Sequence, residues 1–502
     1  MQTPPDGSPA DASLAAHPDS VQPAHAAVLA LVDDPAMETL AHFERALWTA
    51  LLALGRALVA QFLARRSARP RAAVYPWAEA SWQITRTHSS TLATRFGRVP
   101  WTRPAARRVG GTDWDFPVDR ALGVSGGASF GTMVLLAHLC ARMAFAPARA
   151  VFAKTHEWRP SQDMTLRIVD TVGGAARPFL ESRPRPEGDG EILVIQVDGR
   201  GAPMISPQEA ARRRKPKRKA KGRKGSAREA RRSQRRLHPR PRRKPGQKSK
   251  NARVVIVGVL YTLKRTEDGW EGPVNKRVYA TFDGHEALFV WLLTEAKKRG
   301  YGRKRTIFLA DGADAIWRRQ QRFFPKAEAC LDWCHVEEKL WLAGTALHRE
   351  GSPALASWVS AQTDRLRAGQ VTAVIRELRT ARKAIAKTGP GNKGRRERLK
   401  KIAGHLHKRR AQLRYRALLA EGLDIGTGAV EGDVRNVVAL RLDGPGMRWG
   451  LERAERVLHL RCILVSDLWD DFEQHLDGQP ALRLAPQPMP AKPYAAKPRI
   501  AA

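Results

Sequence analysis

Negative charge is scarce in this chain. Against 88 Lys and Arg there are 49 Asp and Glu, a formal net charge of +39 over 502 residues. That imbalance creates a positive field that attracts polyanions, nucleic acid foremost. Cysteine is nearly missing too, with only Cys140, Cys330, Cys334 and Cys462. Four scattered thiols exclude a disulfide framework and fit a reducing cytosol. The start, Met1-Gln2-Thr3-Pro4-Pro5-Asp6, has neither the basic residues nor the apolar run of a secretion signal. Arg45, Arg56 and Arg142 interrupt the most apolar helical stretches, so no membrane span is expected. Without a basic amphipathic helix of clean apolar face, an anionic membrane is the weaker partner. What remains, 43% hydrophobic, is ample for a large core and for roughly two to four domains of ~150 residues.

Residues 1–36, rich in Ala, Pro and Asp, are expected to be disordered. From 37 to 182 the chain reads as a mainly α-helical region. Phe43, Leu47, Leu51, Leu54, Leu58 and Phe62 recur at helical spacing, and extended segments lie over 88–108. Helices from Ser129 to Phe145, after Pro147, and after Ser161 as N-cap have the layout of a helix-turn-helix. Three packed helices with no DNA role fit the same residues. Within 206–250, residues 211–250 hold 21 Lys or Arg and one acid, Glu229. Like charges at that density repel, so a disordered basic arm is predicted: either a solvated insertion or a phosphate-binding arm without sequence specificity.

The core reads as strands at Ile192–Val197, Arg253–Leu263 and Lys276–Phe282, a helix from His285 to Lys298, and strands at Thr306–Ala310 and Glu328–Cys334. A helix then begins near Val336. That is an α/β sheet order, spread over 190–340 and 425–475. Residues 341–424 form a helical insertion broken near Gly389-Pro390-Gly391-Asn392, Leu451 to Phe472 forms a last helix, and 476–502 is a disordered tail.

Three carboxylates sit where metal chemistry needs them. Asp198 follows the apolar run ending at Val197, Asp311 follows Thr306–Ala310, and Glu431 lies at the head of a later helix. Two acids at strand ends and one on a helix can converge on a pair of magnesium or manganese ions, which prefer carboxylate oxygen and stabilise both oxygens of an in-line phosphoryl displacement. Other readings exist for each. Asp-Gly after a strand is a plain turn signal, and Glu431 can pair with Arg435 at i+4. His335 can orient a ligand or phosphate, or cap a helix. Cys330, Cys334 and His335 lack the spacing of a structural zinc site. Lys339, Arg435, Arg441 and Arg448 are candidate DNA contacts or ordinary solvated charges. Trp449 stacks on a base or, as favoured here, fills core.

Val197-Asp198-Gly199, Leu309-Ala310-Asp311-Gly312, Leu331-Asp332-Trp333-Cys334-His335, Gly428-Ala429-Val430-Glu431-Gly432 and Gly446-Met447-Arg448-Trp449 together resemble the DDE transposases of bacterial insertion sequences, most closely the ISKra-type group. The resemblance covers roughly residues 85–475. It implies a ribonuclease-H-like catalytic core preceded by a DNA-binding region. Asp198, Asp311 and Glu431 would be the metal-binding triad, and Asp332 with His335 an accessory motif. It also implies double-stranded DNA as partner, both element terminal inverted repeats and target, a homo-oligomeric synaptic complex, and a cytoplasmic, nucleoid-associated location. The upstream cysteine pairs of some relatives are missing near 100–115. A non-catalytic DNA-binding derivative and a nuclease that cuts without joining are the rival expectations.

Overall fold

Two separate runs of strands set the architecture. The computed structural model describes residues 20–124, 127–206, 209, 252–444 and 446–478. The chain divides into two compact units, Met1–Phe179 with Leu468–Ala502, and Leu180–Asp467.

The first unit begins with α1 (Val21–Ala30) and α2 (Leu40–Ser67). A four-stranded antiparallel sheet follows: β1 (Val74–Trp77), β2 (Ala80–Thr94), β3 (Gly97–Arg108) and β4 (Trp114–Asp115), in that order. Then come α3 (Pro117–Ala121), α4 (Phe130–Arg142), α5 (Phe145–His156) and α6 (Gln162–Ser182). Leu92, Val99 and Trp101 from the sheet meet Ala60 and Leu63 of α2 and Val118 of α3 in one buried cluster.

Three expectations change here. Of the stretch 1–36 expected to be disordered, residues 1–19 lie outside the described residues, and Val21–Ala30 is helical, because its alanines favour helix and Pro23 falls in the first turn, where its missing N–H costs nothing. The region 37–182 is mixed rather than mainly α-helical. The extended segments foreseen at 88–108 belong to a sheet that starts at Val74, built on alternation of exposed Thr87, Ser89 and Thr91 with half-buried His88 and Ser90 and buried Leu92. And α2 is long and apolar enough to cross a membrane by length and composition, despite Arg45 and Arg56. One side of it is core, with Leu52, Ala57, Ala60 and Leu63 buried, while Trp48, Leu51, Leu58 and Phe62 are exposed. The three foreseen helices are α4, α5 and α6, and Ser161 Oγ accepts from Met164 N at 3.1 Å.

The second unit is built on a five-stranded sheet, β5 (Ile192–Pro203), β6 (Ala252–Thr266), β7 (Gly269–Thr281), β8 (Arg305–Ala310) and β9 (Glu328–Leu331), in the order β7-β6-β5-β8-β9. The first three are antiparallel, and β5, β8 and β9 are parallel. Leu193, Ile195, Val197, Val257, Val259, Phe308 and Ala310 have no measurable exposure, as expected for strands covered on both faces. α7 (His285–Lys298) lies over β6, where a side chain at Gly258 would come 2.9 Å from Leu288. Just after α7, fully buried Arg299 grips fully buried Asp189 through Nη2 at 2.6 Å and Nε at 3.0 Å. It also donates to the carbonyl of Asn275 at 2.9 Å, so this buried charge is paired on several sides.

α8 (Asp314–Phe323) follows β8, and α9 (Trp333–Gly344) follows β9. The strand before α9 ends at Leu331, and Asp332 caps the helix, three residues earlier than foreseen. Helices α10 (Pro353–Arg367), α11 (Val371–Ala384), α12 (Asn392–Lys408) and α13 (Tyr415–Ala420) occupy the stretch where a helical insertion was expected. The break falls at Gly389 and Gly391, both at positive φ. Next come α14 (Gly428–Asp433), a π-helical turn (Val434–Ala439), the short Leu440–Leu442 helix and α15 (Leu451–Val465). The single last helix foreseen over 451–472 is two. Asp467 takes a left-handed conformation (φ 54°), and a new helix, Trp469–Asp477, belongs to the first unit. The basic arm at 206–250 lies outside the described residues apart from Ser206 and Glu209, and the tail does so beyond Gly478.

Candidate functional site

The parallel half of the second sheet lines up three carboxylates. Val197 pairs with Ala310, and Ala310 with Leu331. The next residues on these three adjacent strands are Asp198, Asp311 and Asp332. Neighbouring strands stand about 4.8 Å apart, so the three acids form a row across one edge. β5 itself continues to Pro203 against β6, so Asp198 marks the end of the parallel pairing rather than of the strand. Each aspartate is held locally. Asp198 Oδ1 accepts from Gly199 N at 2.6 Å. Asp311 Oδ1 accepts from Ala313 N at 2.9 Å, and its carbonyl accepts from Trp317 Nε1 at 2.6 Å.

Glu431 reaches this row on α14, and two buried polar groups place that helix. Gln196, 1% exposed in an otherwise apolar strand, accepts from Val430 N through Oε1 at 2.9 Å. Its amide donates to Tyr261 Oη at 3.1 Å. Asp332, 3% exposed, accepts from His335 N through Oδ2 and from Thr427 N through Oδ1, both at 2.8 Å. One aspartate thus caps α9 and ties down the loop that carries Glu431. Glu431 Oε1 accepts from Thr427 Oγ1 at 3.1 Å, rather than pairing with Arg435. Ligand atoms of Asp332, Cys334 and Glu431 lie within 4.8 Å of one another.

The electrostatics follow from this crowding. Burial, with the charges of Asp311, Glu431 and Asp332 beside it, pushes the Asp198 carboxyl up to about 6, against a partial offset from the Gly199 amide. Burial, then the charges of Asp332, Glu431, Glu337 and Asp424, push the Cys334 thiol up, so it stays a neutral neighbour. The donors left are oxygen anions, the set that a hard divalent cation such as magnesium or manganese takes. The oxygens of Asp332 and Glu431 fit such an ion, while Asp198 and Asp311, near enough for their charges to act on one another, lie outside that 4.8 Å group.

Basic and imidazole groups flank the acids. His335 on α9 is half-buried, and burial, then Lys339, lowers its pKa against the pull of Asp311 and Asp332. Both nitrogens of a neutral imidazole matter here: one donates and the other accepts. His405, from α12 of the insertion, faces it with ring centroids 5.9 Å apart. Burial first, then Lys339 and His335, brings His405 down to about 4. Its ring lies where a side chain on Gly312 would be, 2.2 Å from that position. Beyond it, buried Arg409 donates to Asp314 and to the Gly312 carbonyl at 3.4 Å, and Lys408 Nζ lies 2.6 Å from Asp314. The insertion therefore rests on the loop that carries Asp311.

Of the residues singled out from sequence, Asp198, Asp311, Glu431, His335 and half-buried Lys339 come together. Arg435 is exposed one helical turn past Glu431. Arg448 is exposed and paired with Glu209 at 2.8 Å. Arg441 is a correction: it is 1% exposed, with its guanidinium 4.7 Å from the Trp449 ring centroid, so it is core and offers nothing to DNA. It follows directly on the π-helical turn, where helical spacing counted from Glu431 no longer gives the face. Trp449 is buried as favoured, donating to the Leu442 carbonyl at 3.0 Å. Sequence reasoning missed Gln196, whose one signal was a lone amide in an apolar strand. It also missed His405, which had none.

No protein-family model matches the chain, and no curated protein matches it. Among solved structures it is similar to the Drosophila P element transposase strand transfer complex, with a TM-score of 0.25 and 10% identity over 70% of this chain and 82% of that one. A likeness at that level assigns neither fold nor function.

Proposed function

We propose that this chain is a DNA transposase of the DDE kind, with a ribonuclease-H-like catalytic core, that cuts element ends and joins them to target DNA. The observation that carries the reading is the row of Asp198, Asp311 and Asp332 on adjacent parallel strands, met by Glu431 from α14. Asp198 and Asp311 follow the paired ends of the neighbouring parallel strands β5 and β8, the adjacency that a shared metal site requires. Membership of the ISKra-type group rests on those motifs alone.

Asp198, Asp311 and Glu431 would hold magnesium or manganese, with Asp332 chiefly positioning the loop of Glu431. When bound, the metal pair activates a water, or later a DNA 3′-hydroxyl, and offsets charge on the leaving oxygen. The chain itself does the placing. Strand-borne carboxylates keep their spacing as charge develops. Neutral His335 can donate its N–H to the phosphate being attacked, and Lys339 stands behind it as a cation. Duplex DNA, including the element's inverted repeats and its target, is the substrate in this reading, acted on by an oligomer at the nucleoid.

The test is cleavage of duplexes carrying the DNA that flanks the gene, with magnesium. Asp198→Asn and Asp311→Asn should each lower cleavage on the order of 10²–10³-fold or more while duplex binding persists. Variants as active as the unaltered chain would overturn the assignment. A pre-cut end that is never joined to target would leave a nuclease in its place.

A further inference from the structure

The helical insertion carries a second feature that the chemistry above does not use. An open groove of about 500 Å³ runs between α11 and the end of α12, lined by Arg376, Arg379, Lys383, His407 and Arg410 among others, and by no acid. All five are exposed. Among the described residues none of the four Arg and Lys has a carboxylate partner. The one acid of α11, Glu377, points the other way, where Trp358, Gln362 and Arg365 of α10 take its oxygens.

We infer that this groove is a binding site for the phosphate backbone of double-stranded DNA, an inference that rests on the DNA-directed reading of the neighbouring carboxylates. Arg376, Arg379 and Lys383 share one helix face and span about 10 Å along its axis at 1.5 Å per residue. A strand of duplex DNA presents a phosphate about every 3.4 Å of its axis, so three cations over that length face about three phosphates. The groove is also mechanically continuous with the acids. His407 and Arg410 line it, while His405, Lys408 and Arg409, interleaved with them in the same turn, hold Gly312 and Asp314 beside Asp311. A duplex lodged there is thereby referenced to the carboxylate row. Leaving cations unpaired without a ligand is otherwise unfavourable, because like charges so close repel.

The experiment uses the full chain in EDTA, so that no cleavage intervenes, and reads duplex affinity against potassium chloride concentration. The triple variant Arg376→Gln, Arg379→Gln, Lys383→Gln should bind a short duplex about 10- to 100-fold more weakly at low salt. Its slope of log affinity on log salt should be shallower by about 2–3, at about 0.9 for each phosphate that is no longer neutralised. Arg376→Lys with Arg379→Lys keeps the charge and should keep the slope. Removing three exposed charges elsewhere in the second unit, Arg303→Gln, Lys326→Gln and Arg349→Gln, should change it by less than about 1. A groove variant no different from that control overturns the proposal. So does millimolar inorganic phosphate that displaces duplex from the unaltered chain but not from the groove variant, which would assign the groove to free anions. If the triple variant unfolds, each single Gln substitution should still flatten the slope by about 0.9. A protein that never cuts DNA yet shows the slope change retains the groove and loses the transposase. One that cuts DNA without the slope change does the reverse.

Discussion

Asp198 carries a heavy electrostatic burden in the second unit. Its folded pKa of about 6 lies above the ordinary carboxylate value of 3.8, because burial and three neighbouring acids penalise the anion. The sign follows directly. Between about pH 4 and pH 6 the folded state holds a proton that the unfolded chain has released, so stability falls as pH rises through that window. The loss is on the order of 2–3 kcal/mol by pH 7 in the metal-free protein. Asp198→Asn removes the charge and nearly keeps the shape. In EDTA at pH 8 it should therefore melt at a higher temperature than the unaltered chain, and the decline from pH 4 to 6 should flatten. Thermal unfolding across that range checks both. An Asn variant that is less stable at pH 8 would show that Asp198 is already neutralised by some other partner.

At the scale of elements, the site depends on how α14 is attached to the sheet. A short helix of six residues has little stability of its own, and Gln196 and Asp332 supply anchors from β5 and from the cap of α9. Gln196→Leu keeps the volume and loses both ends of the amide clamp, leaving Val430 N and Tyr261 Oη without it. A buried donor left unsatisfied costs about 1–3 kcal/mol. We expect a loss of that size in urea unfolding, together with a larger fall in magnesium-dependent activity than in duplex binding. Equal falls in both would reduce Gln196 to a packing residue. The insertion acts on the opposite side of the site, where His405 occupies the space over Gly312.

For the whole molecule, the contrast of signs is the governing fact. A chain of net charge +39 gathers four carboxylates at one edge of one sheet, where above about pH 6 a bound cation relieves the repulsion that a proton on Asp198 relieves below it. Adding millimolar magnesium or manganese should raise the melting temperature, since a ligand that binds only the folded state stabilises it by mass action. Calorimetric or fluorimetric melts, with Asp311→Asn as comparison, read the effect directly. No shift in the unaltered protein would deny the carboxylate row a metal.

The chain's own order of residues settled the strands of the second sheet, the helix after them, the insertion and its break, since alternation, apolar runs and paired glycines are local signals. It also singled out Asp198 and Asp311, because an acid that follows a buried strand is conspicuous at short range, and Glu431 at the head of a later helix. Tertiary structure decided the rest. Asp332 joins the row only because β9 lies parallel beside β8. Gln196 matters only because α14 crosses β5. Arg441 is buried against Trp449, and His405 reaches Gly312 from 93 residues further along the chain. Such relations depend on which elements become neighbours. No pattern of spacing within one segment encodes that.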